Sequence, residues 1–249
     1  DGRLLVRYRD GDAAGEGKLD DYTCYILALL ELYQVTFQTA YLEQAARCAE
    51  ILLEQFFDQE KGGFYLYAED GEQLFMRKKE NYDGAMPSGN SVGARVLHKL
   101  AQITGETKWQ EALDKQLYYL AGAMEGYPSG HSYALLTMME VLYPTKELIC
   151  TLSCDSDSDT ERRTKRRAQL AYLAYLAETI PGLSVIVKTQ KNGEALGGLA
   201  PYIRNYPIPE KGEQFYLCSG SQCMQPVSEL TQLLRLLGAE GAAEHDILK

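Results

Sequence analysis

The 249-residue chain contains no apolar run approaching the roughly 20 residues of a membrane-spanning helix, which argues against a membrane protein. It also lacks basic charge. Its 25 Lys and Arg stand against 35 Asp and Glu, a formal charge of −10. Phosphate contacts need a basic face, so a general nucleic-acid binder is excluded. Histidine is scarce, with three residues, and no CxxC pair occurs. Zinc-ligand spacing is therefore missing, and neither a metal nor a cofactor is expected. There is no signal peptide and the first residue is Asp1 rather than Met, so the chain reads as a piece of a longer protein. What is present is ordinary globular material, 45% hydrophobic and 24% charged, enough for a sizeable core. The six cysteines are Cys24, Cys48, Cys150, Cys154, Cys218 and Cys223. In a chain this long with no leader they read as reduced cytosolic thiols, which points to the cytoplasm. Cys24 and Cys48 fall inside helical apolar patterns, where a thiol behaves as a small hydrophobe.

Leu19, Tyr22, Ile26, Leu29, Leu30, Tyr33 and Phe37 recur at steps of three and four, predicting an amphipathic helix over 19–37. Tyr41, Ala45, Cys48, Leu52 and Phe56 repeat the pattern over 40–57 after a short link, so the two helices should pair antiparallel. In "KGGFYLYAEDGEQLFMRKKE" the period breaks, and aromatic alternation between glycines predicts a short hairpin or extended loop. A third helix runs from about Ser88 to Thr104, with Gly105 as its stop. A fourth follows with Trp109, Leu113, Leu117, Leu120 and Met124. Ser129 is the expected cap of a fifth, which runs through Leu142 and closes at Pro144. Beyond that point the texture changes. Strands at 147–153, 183–189 and 214–220 alternate with helices at 160–179 and about 226–237, predicting a small, mostly parallel α/β layer. The tail after Gly238 looks frayed. The whole reads as mainly α, with helical hairpins over 1–144 and a small α/β subdomain over 145–249.

Three stretches carry a resemblance: "KLDDYTCYILALLELYQVTF", "GGFYLYAEDGEQLFMRKKENYDGAMPSGNSVGA" and "FYLCSGSQCMQPV". They resemble the YyaL-type, thioredoxin-domain-containing family, the spermatogenesis-associated protein 20-like proteins. That resemblance implies an N-terminal thioredoxin-like domain followed by an (α/α)6 toroid of the six-hairpin glycosidase type. This chain would then be the C-terminal part, a partial (α/α) toroid with about two and a half of the six hairpins. The thioredoxin-like domain of the full-length chain is an implied partner. Apolar surface that the further hairpins would cover offers a route to oligomers. The related toroid superfamily includes glycosidases and epimerases, a fold-level analogy.

In a toroid of this kind alternate helices line the inside, and the long loops before them rim one mouth. Here those loops are "GEGKLDDY" (15–22), "ENYDGAMPSGNS" (80–91) and "GYPSGHS" (126–132). Asp20, Asp21, Glu80 and Asp83 supply carboxylates there, and a carboxylate pair on opposite sides of a sugar is what glycoside hydrolysis needs. The alternative for the same residues is capping and dipole compensation, for which one acid suffices. Tyr22 and Tyr82 flank these acids as candidate ligand contacts. Ser88, Asn90 and Ser91 can cap the third helix or present hydrogen-bonding groups to a hydroxyl-rich ligand. "GAMPSGN" is not a nucleophile elbow, because no strand precedes the serine. His131 is a candidate general base or sugar-hydroxyl partner, or a structural histidine at a helix start. Trp109, Phe64, Tyr65 and Tyr67 could stack on a sugar, although Trp109 at helical spacing reads as core. Cys218 and Cys223 bracket "SGSQ" after a strand; a redox pair is one reading, structural thiols or an occasional disulfide the other. "CDSDSDTERRTKRR" fails as a calcium loop, having Thr160 and Arg166 where Gly and Glu are needed, and reads as a solvated loop and helix start. Two functions follow as expectations. One is a toroid that acts on or binds a small carbohydrate, as an epimerase, isomerase or glycosidase would. The other is a non-catalytic scaffold serving a thioredoxin-like domain.

Overall fold

The computed structural model describes residues 2–71, 76–143, 145–153, 160–220 and 222–239. The chain divides into two compact units. One comprises Asp1–Glu31, Ala40–Ala101 and Glu106–Leu142; the other comprises Leu32–Thr39, Gln102–Gly105 and Tyr143–Lys249. Among the described residues no helix is long and apolar enough to cross a membrane.

The first unit opens with a hairpin that the periodicity analysis passed over, β1 (Leu5–Arg9) against β2 (Asp12–Glu16). Its turn is Asp10-Gly11, both at positive φ (54° and 87°), the conformation a two-residue turn needs to match strand twist. Helices α1 (Leu19–Thr36) and α2 (Thr39–Gln55) follow, and the Tyr22 ring at the start of α1 meets Phe56 just past the end of α2 at 5.1 Å, so the two run antiparallel. A second antiparallel pair is α3 (Gly89–Thr104) and α4 (Thr107–Met124), where Gln116 of α4 donates to Asn90 at the start of α3. Gly105 stands at φ 66°, the left-handed stop that residue type favours. Then comes a 3-10 turn, Pro128–His131, and α5 (Ser132–Leu142). The expected Ser129 cap is not made: no side chain of that segment caps the turn, and Asp83 reaches in from another loop instead.

Two layers result. Lys99 of α3 pairs with Glu31 of α1 (2.7 Å) and Arg95 of α3 with Glu140 of α5 (2.8 Å), so α3 stands between α1 and α5. Lys108 of α4 pairs with Glu50 of α2, joining the other layer. The core between them is apolar and well filled by Ile26, Leu30, Leu42, Leu52, Leu97, Trp109 and Leu120, all essentially inaccessible. Cys48 is buried as expected; Cys24 is not, because it falls on the outward side of α1. Residues 61–80, where described, form an extended loop whose one bridge joins Phe64 to Phe57.

The second unit is built on a four-stranded sheet in the order β4-β3-β5-β6: β3 (Lys146–Leu152), β4 (Leu183–Thr189), β5 (Glu213–Ser219) and β6 (Gln222–Cys223). Helix α6 (Thr160–Thr179) links β3 to a parallel β4. The expectation of a mostly parallel layer is corrected, because β3–β5 and β5–β6 are both antiparallel. The reason lies in the connection after β4. In place of a long crossover helix like α6, the stretch from Gln190 to Gly212 carries two short helical pieces, α7 (Gly193–Leu199) and a 3-10 turn, and delivers the chain back to the end of the sheet it left. β5 therefore starts at the end where β4 finishes, with Glu213 opposite Leu152 and Thr189 opposite Leu152 on the other side. One sheet face, with Leu148, Cys150, Val185, Val187, Phe215 and Leu217, packs on α6 and on α8 (Leu230–Leu237). On the other face Lys188 donates to the carbonyls of Ile203 and Tyr206, satisfying the end of a 3-10 turn at Pro201–Asn205. The reading of all six cysteines as reduced is also corrected: Cys218 and Cys223 form a disulfide. Cys154, Pro144, the "DSDSD" run and most of the tail after Gly238 lie outside the described residues.

Candidate functional site

The three polar loops before α1, α3 and α5 meet. Asp83 accepts at Oδ1 from the Ser88 N–H (2.8 Å) and at Oδ2 from the N–H groups of Tyr133 (2.8 Å) and Ala134 (3.4 Å). Its own N–H donates to Gly130 O (2.7 Å). One carboxylate thus caps the first turn of α5 and fixes the loop that enters α3. His131 Nδ1 lies 2.7 Å from Asn81 O; a carbonyl only accepts, so Nδ1 carries the proton and closes the same pair of loops.

Asp20 crosses from α1 to α3, where the Gly89 N–H donates to it. A Cβ placed on Gly89 would lie 2.4 Å from Asp20 Oδ1, so only glycine admits this approach. Asp20 and Asp83 therefore accept from consecutive backbone N–H groups at the start of α3. Asp21 does something different. Its Oδ2 accepts from the Lys18 N–H (2.8 Å), the reach-back half of a capping box on its own helix. Partial burial raises the Asp20 carboxyl above its ordinary range, and the nearby Glu80 and Asp21 carboxylates add to this. The Gly89 N–H and Lys18 oppose the shift without cancelling it.

The remaining expected residues divide by exposure. Tyr22 is buried and its hydroxyl accepts from the Leu4 N–H (3.1 Å). Asn90 is fully buried, and its amide does for Phe64 what a neighbouring strand would. Its Oδ1 accepts from Phe64 N–H (2.7 Å), while Nδ2 donates to Phe64 O (2.9 Å) and Glu80 O (2.7 Å). Ser88 caps α3, accepting from the Ser91 N–H and bonding the Ser91 hydroxyl (2.9 Å). These groups face inward and hold the rim. Glu80 and Tyr82 are exposed, and Tyr82 stacks on Tyr127 with rings 9° from parallel. Trp109 and Phe64 are core residues, buried away from any ligand.

An open depression adjoins Asp20 and Asp21, walled by Leu4, Leu5, Cys24, Tyr25 and Met86. Partial burial and the two aspartates push the Cys24 thiol up, so it stays protonated at neutral pH. Sequence reasoning missed Tyr25, Cys24, Met86 and Tyr127: the first two fall in the helical pattern of α1, and the other two are apolar residues in loops read for their polar groups. It also missed Gln116, whose amide receives the Gly63 N–H and donates to Asn90. A signal existed: Gln116 interrupts the apolar stripe of α4 between Leu113 and Leu120. Cys218, Cys223 and their surroundings belong to the second unit. Among the described residues no three His, Cys, Asp or Glu side chains gather as a metal site.

The chain is similar to spermatogenesis-associated protein 20 of Rattus norvegicus, with 28% identity over 222 residues, 89% of this chain and 27% of that protein. The human protein of the same name matches with the same identity and coverage. An uncharacterized protein of Caenorhabditis elegans is 24% identical over 218 residues, 87% of this chain and 28% of that protein. The chain spans about a quarter of the length of the curated relatives it matches. No protein-family model matches it.

Proposed function

We propose that the rim where α1, α3 and α5 begin binds a hydroxyl-rich ligand, a sugar or sugar derivative, and that Asp20 and Glu80 are its working carboxylates. The observation that carries this is the division of labour among the acids. Asp83 spends both oxygens on backbone N–H groups and Asp21 spends one on the start of its own helix, whereas Asp20 accepts from Gly89 of another helix, lies in the field of Glu80 and borders an open depression. A carboxyl whose hold on its proton is strengthened by burial, in the field of an exposed acidic neighbour, offers an acid and a base in one place, the pairing that sugar hydrolysis and epimerisation use. The stacked Tyr82–Tyr127 pair supplies an aromatic surface of the kind sugar rings lie on. The antiparallel helical hairpins support the reading of this region as part of an (α/α) toroid.

The test is a thermal-shift and calorimetric screen of mono- and oligosaccharides on the 249-residue chain and its Asp20→Asn variant. We expect at least one sugar to raise the melting temperature of the parent, with binding weakened about tenfold or more in the variant. A panel in which no sugar binds, or in which Asp20→Asn binds as the parent does, overturns the proposal.

A second reading is a non-catalytic module that docks another part of a longer chain, such as a thioredoxin-like domain. It is favoured by α5, which turns Leu136, Met139 and Leu142 outward.

A further inference from the structure

The second unit carries a disulfide whose setting does more than join two strands. Cys218 and Cys223 face each other across the β5–β6 hairpin, with Cα atoms 4.0 Å apart. The Met224 N–H bonds Leu217 O on one side, and Ser219 pairs with Gln222 on the other. The cysteines therefore occupy a non-hydrogen-bonded pair, where side chains on one face approach most closely. The two sulfurs are not equivalent. Cys218 is 4% exposed, whereas Cys223 is exposed on β6, a two-residue strand at the sheet edge. The cross-link closes a sequence separation of 5, on a strand already held by the full pairing of β5 to β3. Loop closure of this length removes the least chain entropy, so the bond's contribution to stability does not account for it.

The surroundings are chemical. The Tyr206 hydroxyl lies 3.6 Å from Cys218 Sγ and 3.8 Å from Cys223 Sγ. A disulfide sulfur has no hydrogen, so the phenol is the donor. Tyr206 is held there from two sides: Lys188 donates to its carbonyl (2.6 Å), and its ring packs edge-on against Tyr216 (4.9 Å). Glu147 stands directly opposite Cys218 on β3, and its field reaches Tyr206. Burial raises the Glu147 carboxyl, which keeps a protonatable group beside the buried sulfur.

We propose that Cys218–Cys223 is a thiol–disulfide exchange centre that accepts electrons from a dithiol, with Tyr206 as a catalytic residue. A donor thiolate attacks the exposed Cys223 Sγ. The S–S bond breaks, and Cys218 leaves as a thiolate that takes the Tyr206 O–H hydrogen bond in place of the disulfide. The donor's second thiol then attacks the mixed disulfide and releases Cys223. The donor ends as a disulfide, and the two protons it gives up end on Cys218 and Cys223. Two electrons and two protons pass from donor to hairpin, and reoxidation by another disulfide is the reverse.

Dithiothreitol is the probe. The oxidised chain is mixed with it under native conditions, quenched with an alkylating agent, and followed by peptide mass spectrometry at Cys218 and Cys223. We expect reduction without loss of the circular dichroism signal, and recovery of the bond with oxidised dithiothreitol. Tyr206→Phe should slow reduction about tenfold. Tyr216→Phe should reduce at the parent rate, since the Tyr216 hydroxyl bonds Gln214 and Pro207 rather than sulfur. A bond that yields only when the chain is unfolded, or a Tyr206→Phe rate equal to the parent's, overturns the proposal.

Discussion

At the scale of single residues, the described ion pair with the most support is Asp58–Lys79. Asp58 Oδ1 accepts from the N–H groups of Glu60 (3.0 Å) and Lys61 (2.9 Å), and Oδ2 accepts from Tyr65 Oη (3.0 Å) and Lys79 Nζ (2.8 Å). Both side chains are only 14% exposed, so the pair is screened less than a surface salt bridge. Lys79 also lies over the Tyr65 and Tyr119 rings, at 4.7 and 5.0 Å. Burial alone would raise the Asp58 carboxyl, but the four donors outweigh it and hold the group well below the usual carboxylate range. A carboxyl depressed in the folded state binds fewer protons there than in the unfolded chain. Its stabilisation is therefore present above the unfolded value of 3.8 and is lost as the pH falls below it. We expect Asp58→Asn to cost about 1–3 kcal/mol at pH 7, with the gap to the parent narrowing between about pH 4 and pH 2. Urea denaturation across that range measures it; a gap independent of pH contradicts the assignment.

At the scale of elements, the three helix starts are tied by side chains that serve a neighbour's terminus. Gly89 is the tightest point, since a Cβ there would also lie 2.6 Å from Leu19 Cγ, a buried core atom. Gly122, in α4, has open space around it. The same substitution should act in opposite directions. Gly89→Ala must spread α1 from α3 and is expected to destabilise by about 1–3 kcal/mol. Gly122→Ala gains helix propensity and should stabilise by about 0.5–1 kcal/mol. Equilibrium denaturation of both variants checks the pair, and two shifts of one sign would refute the packing account. The contrast also marks what a sequence can carry. Helix positions were legible because periodicity at 19–36, 39–55 and 160–179 is a local consequence of one buried face. The hairpin at Asp10-Gly11 was not among the expected elements, although its Asp-Gly turn signal stands in the sequence. The sheet's mixed character was not legible, because it depends on how far the segment after β4 travels. The same holds for the acids. Their enrichment at helix starts was visible, but that Asp21 caps α1, Asp20 reaches the start of α3 and Asp83 caps α5 is fixed only by tertiary approach.

At the scale of the whole molecule, the unbalanced feature is apolar surface. Leu136, Met139 and Leu142 of α5 are 53%, 53% and 83% exposed, at a spacing of three that puts them on one side of the helix. The opposite side is spent on the core through Ala134 and Thr137, and on the Arg95–Glu140 ion pair. Three aliphatic side chains in a row on a short helix are costly to hydrate, at about 25 cal/mol for each Å² that a partner could cover. In an arrangement of stacked hairpins this is the side on which the next helix would lie. Among the described residues nothing covers this stripe, and a second copy of the chain would do so. We expect sedimentation velocity to show concentration-dependent self-association of the 249-residue chain at neutral pH. The double variant Leu136→Lys, Met139→Lys should abolish it, and should leave the melting temperature nearly unchanged because neither side chain is part of the core. Added salt should strengthen the association, because the net charge of −10 opposes contact between copies and is screened as ionic strength rises. A chain that stays monomeric at every concentration would mean that this stripe is tolerated in water, and would remove its support for a docking role.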